Sequence, residues 1–100
     1  MKIDGFDWDE GNLRKCQKHG VSVASIEDLF SRPVMMIPDT AHSHAEKRFW
    51  AIGEAENRHV FVAFTIRKKD GENFLRPISA RYMHRKEIDW YEKENSHIQD

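Results

Sequence analysis

Val60-Phe61-Val62-Ala63-Phe64-Thr65-Ile66 is the stretch that decides the architecture of this chain. Its residues are apolar on both alternations, the pattern of a central strand covered on two sides. Asp70-Gly71 marks a tight reversal, and Phe74 to Tyr82 returns along the same sheet. Pro77 sits inside that returning strand and has no N–H for the ladder, so it calls for a bulge or an unpaired side. Upstream, Arg48 to Ile52 reads as a further strand, and Val34 to Ile37 as a brief one closed by Pro38-Asp39.

Helices flank this sheet. A short extended piece from Ile3 to Trp8 puts Phe6 and Trp8 on one side. Asp9 is placed to cap the helix that follows, and Glu10 suits its positive end. That helix runs to about His19, where Gly20 stops it in the left-handed conformation. Its expected buried stripe is thin: Leu13, Cys16 and Gln17. Ser22 is a second cap, and Val23, Ile26, Leu29 and Phe30 fall at helical spacing over 23–30. Arg32-Pro33 ends the run. A last helix from about Arg85 to Asn95 docks with Ile88, Tyr91 and Trp90. The order implies an α+β fold, an antiparallel twisted sheet packed by two N-terminal helices and one C-terminal helix. One domain fills residues 1–100, with its core at about 3–95.

The bulk composition narrows the function. No apolar run reaches membrane length, and Met1-Lys2-Ile3-Asp4 lacks the apolar stretch of a signal peptide. The single Cys16 forms no internal disulfide and no cysteine cluster suggests zinc, so a reducing cytoplasm is expected. The net charge of -1 hides an asymmetry. Residues 66–86 hold Arg67, Lys68, Lys69, Arg76, Arg81, Arg85 and Lys86 against only Asp70 and Glu72, whereas residues 87–100 are acidic. Local potential governs ligand attraction more directly than net charge does.

Arg67 and Arg81 stand out, because each lies at or near the end of an apolar strand run. A guanidinium keeps its charge and forks two hydrogen bonds onto a phosphate. On a rigid sheet it could hold an RNA backbone and stabilise charge developing on phosphorus. Register qualifies the pairing. A plain two-residue turn at Asp70-Gly71 would send the two arginines to opposite faces, and one bulged residue, at Gly71 or Pro77, would reverse that parity.

The stretch His42-Ser43-His44-Ala45-Glu46-Lys47-Arg48 is dense in chemical groups. In an extended segment His42, His44, Glu46 and Arg48 would share one side. Histidine suits proton transfer near neutral pH. Two His and one Glu also match catalytic zinc in kind, but no known metal spacing is reproduced, so neither metal nor cofactor is expected. Lys18-His19 sits where a helix dipole favours cations, which leaves a solvated helix end as the plain reading and proton transfer by His19 as the functional one. Tyr82 is suited either to stacking on a base or to burial. His59 and His84 read as turn and cap residues. No Gly-rich phosphate loop or nucleophile elbow occurs.

Several pieces together resemble the BrnT toxin family: Phe6-Asp7-Trp8-Asp9-Glu10, Lys18-His19-Gly20-Val21-Ser22, Glu46-Lys47-Arg48 before Ile52-Gly53, Phe64-Thr65-Ile66-Arg67 and Ile78-Ser79-Ala80-Arg81. The stretch from Trp8 to His19 is shorter than the family pattern. The resemblance implies a RelE-like fold and a ribonuclease that cleaves mRNA and slows translation. It further implies neutralisation by a BrnA-like ribbon-helix-helix antitoxin in a 2:2 complex, with DNA contacted only through the antitoxin. Arg67, Arg81, His19, His44 and Glu46 are the expected catalytic set. Lys18, Arg48, Lys68, Lys69, Arg76 and Tyr82 are the expected RNA contacts. The competing expectation is a non-catalytic module that binds RNA or pairs with an antitoxin and nothing more.

Overall fold

The Asp9 carboxylate accepts the backbone N–H of Asn12, and the Asn12 amide oxygen accepts the N–H of Asp9 in return. This reciprocal cap starts α1, Glu10–Gln17. In the computed structural model, which describes residues 2–99 in backbone and 2–95 in side-chain environment, the remaining elements follow in order. They are β1 (Gly5–Phe6) before α1, then α2 (Val23–Phe30), β2 (Met35–Pro38), β3 (Arg48–Ala55), β4 (Arg58–Lys69), β5 (Glu72–Tyr82) and α3 (Arg85–Gln99). Ser22 caps α2 through the N–H of Ser25, and Gly20 takes the positive φ of 89° that ends the first helical segment. The fold is α+β, and its topology is consistent with the RelE-like arrangement.

The sheet order is β1-β5-β4-β3-β2, so β4 is central, as its apolar run requires. All pairings are antiparallel except that of β1, which lies parallel to β5 with Gly5 opposite Phe74. The expected strand from Ile3 to Trp8 thus contracts to two residues on a parallel edge. Chain direction there is set by α1 returning across the sheet, which no local pattern encodes.

Residues opposed across strands share a face. One face carries Ala51, Ala55, Val60, Val62, Phe64, Leu75 and Ala80, and it is sealed by Cys16 of α1, Val21 of the connection that follows, and Ile26 and Leu29 of α2. Leu29 comes so close that a Cβ on Gly53 would lie 2.9 Å from its Cδ1. The other face is covered only in part. There α3 brings Ile88 and Tyr91 onto Ile52, Phe61, Met83, Met35 and Ile37. Trp90, expected to dock, is instead 44% exposed, because the inward positions of α3 are already taken by its neighbours.

Two further expectations are corrected. The inner face of α1 is Asn12 and Cys16, with Leu13 half-buried and Gln17 exposed. The Asn12 amide donates to the carbonyls of Asp7 and Pro77, so a polar side chain fills the place an apolar one was expected to take. Residues 42–47 are not extended. Thr40–His42 forms a 3-10 turn, His42 Nδ1 lies 3.0 Å from Asp39 Oδ2, and the Ser43 hydroxyl donates to the Asp39 carbonyl. The Asp39 carboxylate and carbonyl therefore fold the segment back, and the proposed alternation of His42, His44, Glu46 and Arg48 is lost.

Candidate functional site

The register between β4 and β5 answers the question of the two arginines. From Lys69 opposite Glu72 to Phe64 opposite Pro77 the pairing is that of a plain two-residue turn. It then shifts, so that Ala63 faces Ser79 and Phe61 faces Arg81. Ile78 is the extra residue of a bulge next to Pro77, which cannot donate to the ladder. The shift turns Arg81 onto the face that also carries Phe61, Thr65 and Arg67. Asp70 and Gly71 both have positive φ, 53° and 80°, and supply the tight turn without a bulge.

On the half of this face that α3 leaves open, charged groups converge. Arg48 lies opposite Thr65, and Thr65 opposite Arg76, in one row across three strands. Asp7 stands just beyond β1, its N–H donated to the Leu75 carbonyl, so it extends the row past Arg76. Its carboxylate is approached by Arg67 Nη1 at 3.9 Å, Lys69 Nζ at 3.7 Å and Arg76 Nη1 at 3.7 Å. Arg67 Nη2 is also 3.6 Å from Glu46 Oε1. Arg76 Nη2 makes a closer pair, 2.8 Å, with Asp9 Oδ2. The Asp9 carboxyl is held below its ordinary pKa, chiefly by the Asn12 N–H and further by Arg76. Asp7 Oδ2 and Arg76 Nη1 are buried atoms without a hydrogen-bond partner. Three cations thus gather around one carboxylate, with distances too long for direct hydrogen bonds to it. The exposed members, Arg67 and Lys69, carry positive charge to the surface of this cluster, while Arg76 and the Asp7 carboxylate lie beneath them.

The structure therefore brings together Arg67, Glu46, Lys69 and Arg76, with Arg48 in the same row as Arg76, across Thr65. Lys68 alternates to the opposite side of β4 and is exposed. His44 is exposed in the loop two residues before Glu46. Arg81 shares the face but not the cluster. It makes two 2.8 Å hydrogen bonds to Glu87 on α3 and lies over the Phe61 ring at 4.7 Å. Those bonds hold the Glu87 carboxyl down to about 2 and raise the guanidinium above its ordinary value.

The Lys18-His19 element lies at the other end. Tyr82, at the far end of β5, donates its hydroxyl to the Gly20 carbonyl at 3.4 Å, while Arg58 covers the Tyr82 ring at 3.4 Å. Tyr82 faces Val60, and Val60 to Arg67 spans about 23 Å of strand. His19 and Arg67 therefore do not form one site. Residue-by-residue reading passed over Asp7 as a site residue and Asn12 as its support. Asp7 is marked only by its place in the Phe6-Asp7-Trp8 motif, because its company depends on parallel pairing. His59, read as a turn residue, lies within β4 and is half-buried. His84 does occupy the cap position before α3, its N–H donated to Glu87 Oε1.

Among the described residues, no helix is long and apolar enough to cross a membrane. Residues 8–87 match the family described as ribonuclease toxin, BrnT, of type II toxin–antitoxin system. No curated protein matches the chain at a significant level.

Proposed function

The chain belongs to the BrnT family of ribonuclease toxins, and from that premise we propose that it cleaves RNA without a metal at the Arg67, Lys69 and Arg76 cluster. The observation carrying this reading is the convergence of those three cations within 4 Å of Asp7, beside Glu46, on the open half of the sheet. Arg67 and Lys69 hold the scissile phosphate and offset the negative charge on the non-bridging oxygens of the pentacoordinate transition state. Arg76 positions Asp7 and completes the positive potential.

The reaction is attack of a ribose 2′-hydroxyl on the adjacent phosphorus. Glu46 takes the hydroxyl proton, the new O–P bond forms, and the bond to the 5′-oxygen breaks. His44 returns a proton to that leaving oxygen, giving a 2′,3′-cyclic phosphate and a free 5′-hydroxyl. Arg48 binds a flanking phosphate, whereas Lys68, on the opposite side of β4, lies off this path. Arg81 reaches RNA only by exchanging Glu87 for a phosphate, and Lys18, His19 and Tyr82 contribute at most to RNA bound along the far edge.

The family implies a cognate antitoxin in a type II system. We assign it as a BrnA-like ribbon-helix-helix protein in a 2:2 complex that alone contacts DNA, with mRNA as the toxin's substrate. Expression of the wild-type chain is expected to arrest growth, and the purified protein to cleave RNA in the presence of chelator. Arg67→Ala and Glu46→Gln are each expected to reduce cleavage by about a hundredfold or more, with folding intact. RNA affinity without cleavage, falling steeply with salt, would instead favour a non-catalytic RNA-binding module. Neither cleavage nor RNA affinity would leave only antitoxin pairing.

A further inference from the structure

We infer that Glu54, His59 and Glu92 form a zinc site that fastens α3 to the hairpin joining β3 and β4. The residues come from three elements. Glu54 and His59 are opposed across β3 and β4, next to a turn in which Glu56 and Asn57 both have positive φ, 49° and 65°. Glu92 is supplied by α3.

His59 Nε2 lies 3.1 Å from Glu54 Oε1 and 3.1 Å from Glu92 Oε1, and the three ligand atoms fall within 4.8 Å of one another. Zinc bound tetrahedrally at roughly 2.0–2.1 Å needs its ligand atoms about 3.3–3.4 Å apart. The donor spacing therefore already approximates a coordination edge, and only small rotations of two exposed carboxylates are needed to close the set.

The donor chemistry points the same way. The Nε2 of an imidazole offers either one proton, to be shared between two carboxylates, or one lone pair facing two anions. A divalent cation would satisfy all three donors at once. One imidazole nitrogen with two carboxylate oxygens suits zinc, whereas magnesium and calcium prefer more oxygen ligands. His59 is aimed by packing rather than chance. Its ring is 17% exposed and stands edge-on to Tyr91 at a centroid distance of 5.7 Å, while both glutamates reach solvent and leave room for a water as fourth ligand.

The site also completes a line of attachment. The inner side of α3 presents Glu87 to Arg81, then Ile88 and Tyr91 to the sheet, and Glu92 follows at the helical spacing. Other described imidazoles lack the set: His42 meets only Asp39, and His84 only Glu87. From His59 to Arg67 is about 26 Å along β4. The metal is therefore a structural clamp, separate from the proposed cleavage cluster, and its test does not depend on nuclease activity.

The test is calorimetric titration of the chelator-stripped full chain with zinc chloride, with thermal melting followed in parallel. The wild type is expected to bind one equivalent saturably and to melt at a higher temperature with zinc. His59→Gln and Glu92→Gln should each weaken binding by about tenfold or more and abolish the thermal shift, while His42→Gln and His84→Gln should titrate like the wild type. Glu92→Gln changes an exposed helix position, so its loss of binding would not reflect unfolding. No saturable binding by the wild type, unchanged binding by His59→Gln or Glu92→Gln, or equal affinity for magnesium would each overturn the assignment.

Discussion

Arg81 and Glu87 meet in a two-pronged pair, each guanidinium nitrogen 2.8 Å from its own carboxylate oxygen. The pair joins the end of β5 to the first turn of α3, and Glu87 also accepts the His84 N–H. It exists because Ile78 bulges. Without that residue Arg81 would face the opposite side and the helix would lose its polar anchor.

The pair should make stability depend on acid. Glu87 is held down to about 2 from an ordinary 4.5, mainly by its hydrogen bonds to Arg81. A depressed folded-state pKa contributes stability that is present above the unfolded value and lost as pH falls through the folded one. Urea denaturation between pH 5 and pH 2 should therefore show a loss in the wild type that is smaller in Glu87→Gln. At pH 7 that variant should be less stable by about 1 kcal/mol, since both partners are partly solvated. Equal acid sensitivity in the two proteins would contradict this.

Asn12 holds α1 to β5. Its amide spans the Asp7 and Pro77 carbonyls, and its oxygen completes the Asp9 cap. Asn12→Ala leaves buried carbonyls unpartnered and should cost about 2–4 kcal/mol, measured from the denaturant midpoint. Asn12→Asp, which keeps the acceptor but loses both donors, should lose comparable stability. A variant as stable as the wild type would remove Asn12 from this role.

Arg67 and Arg76 should separate binding from folding. Arg67 is 42% exposed, so Arg67→Ala should leave the melting temperature nearly unchanged while lowering RNA affinity and flattening its salt dependence. Arg76 is 16% exposed and faces Asp7 and Asp9, so Arg76→Ala removes the least exposed of the three cations beside Asp7 and takes the 2.8 Å partner from Asp9. It should cost about 2 kcal/mol. Identical losses of stability in both would argue against the division.

Cys16 should be chemically silent. It is fully buried beneath α1, and burial pushes its thiol up to about 11. Only a thiolate reacts readily, so a thiol reagent at pH 8 should label the native protein far more slowly than the urea-unfolded chain. Rapid stoichiometric labelling of the native protein would show that α1 opens more freely than its packing indicates.

Much of the fold is legible along the chain because it is local. Asp9 and Ser22 cap helices through N–H groups three residues on, Gly20 takes a left-handed φ, and Asp70-Gly71 closes a tight turn. The unbroken apolar run at Val60–Ile66 requires a strand covered on both sides, and β4 is that strand. The candidate site was legible in its cations but not in its company. Arg67, Glu46, Lys69 and Arg76 were individually recognisable, whereas Asp7 enters through β1 pairing parallel with β5.

Sequence alone determined the helix ends, the central strand, the basic character of the β4–β5 hairpin and the family motifs, since each depends on residues a few positions apart. Tertiary structure alone decided that Arg67 and Arg81 share a face, that His19 stands away from Arg67, and that α3 covers one half of the sheet and leaves the other open. The physical reason is parity: one bulged residue at Ile78 reverses the side of every residue after it. Whether Pro77 is met by such a bulge depends on the strand laid against it and on Asn12 taking up the Pro77 carbonyl.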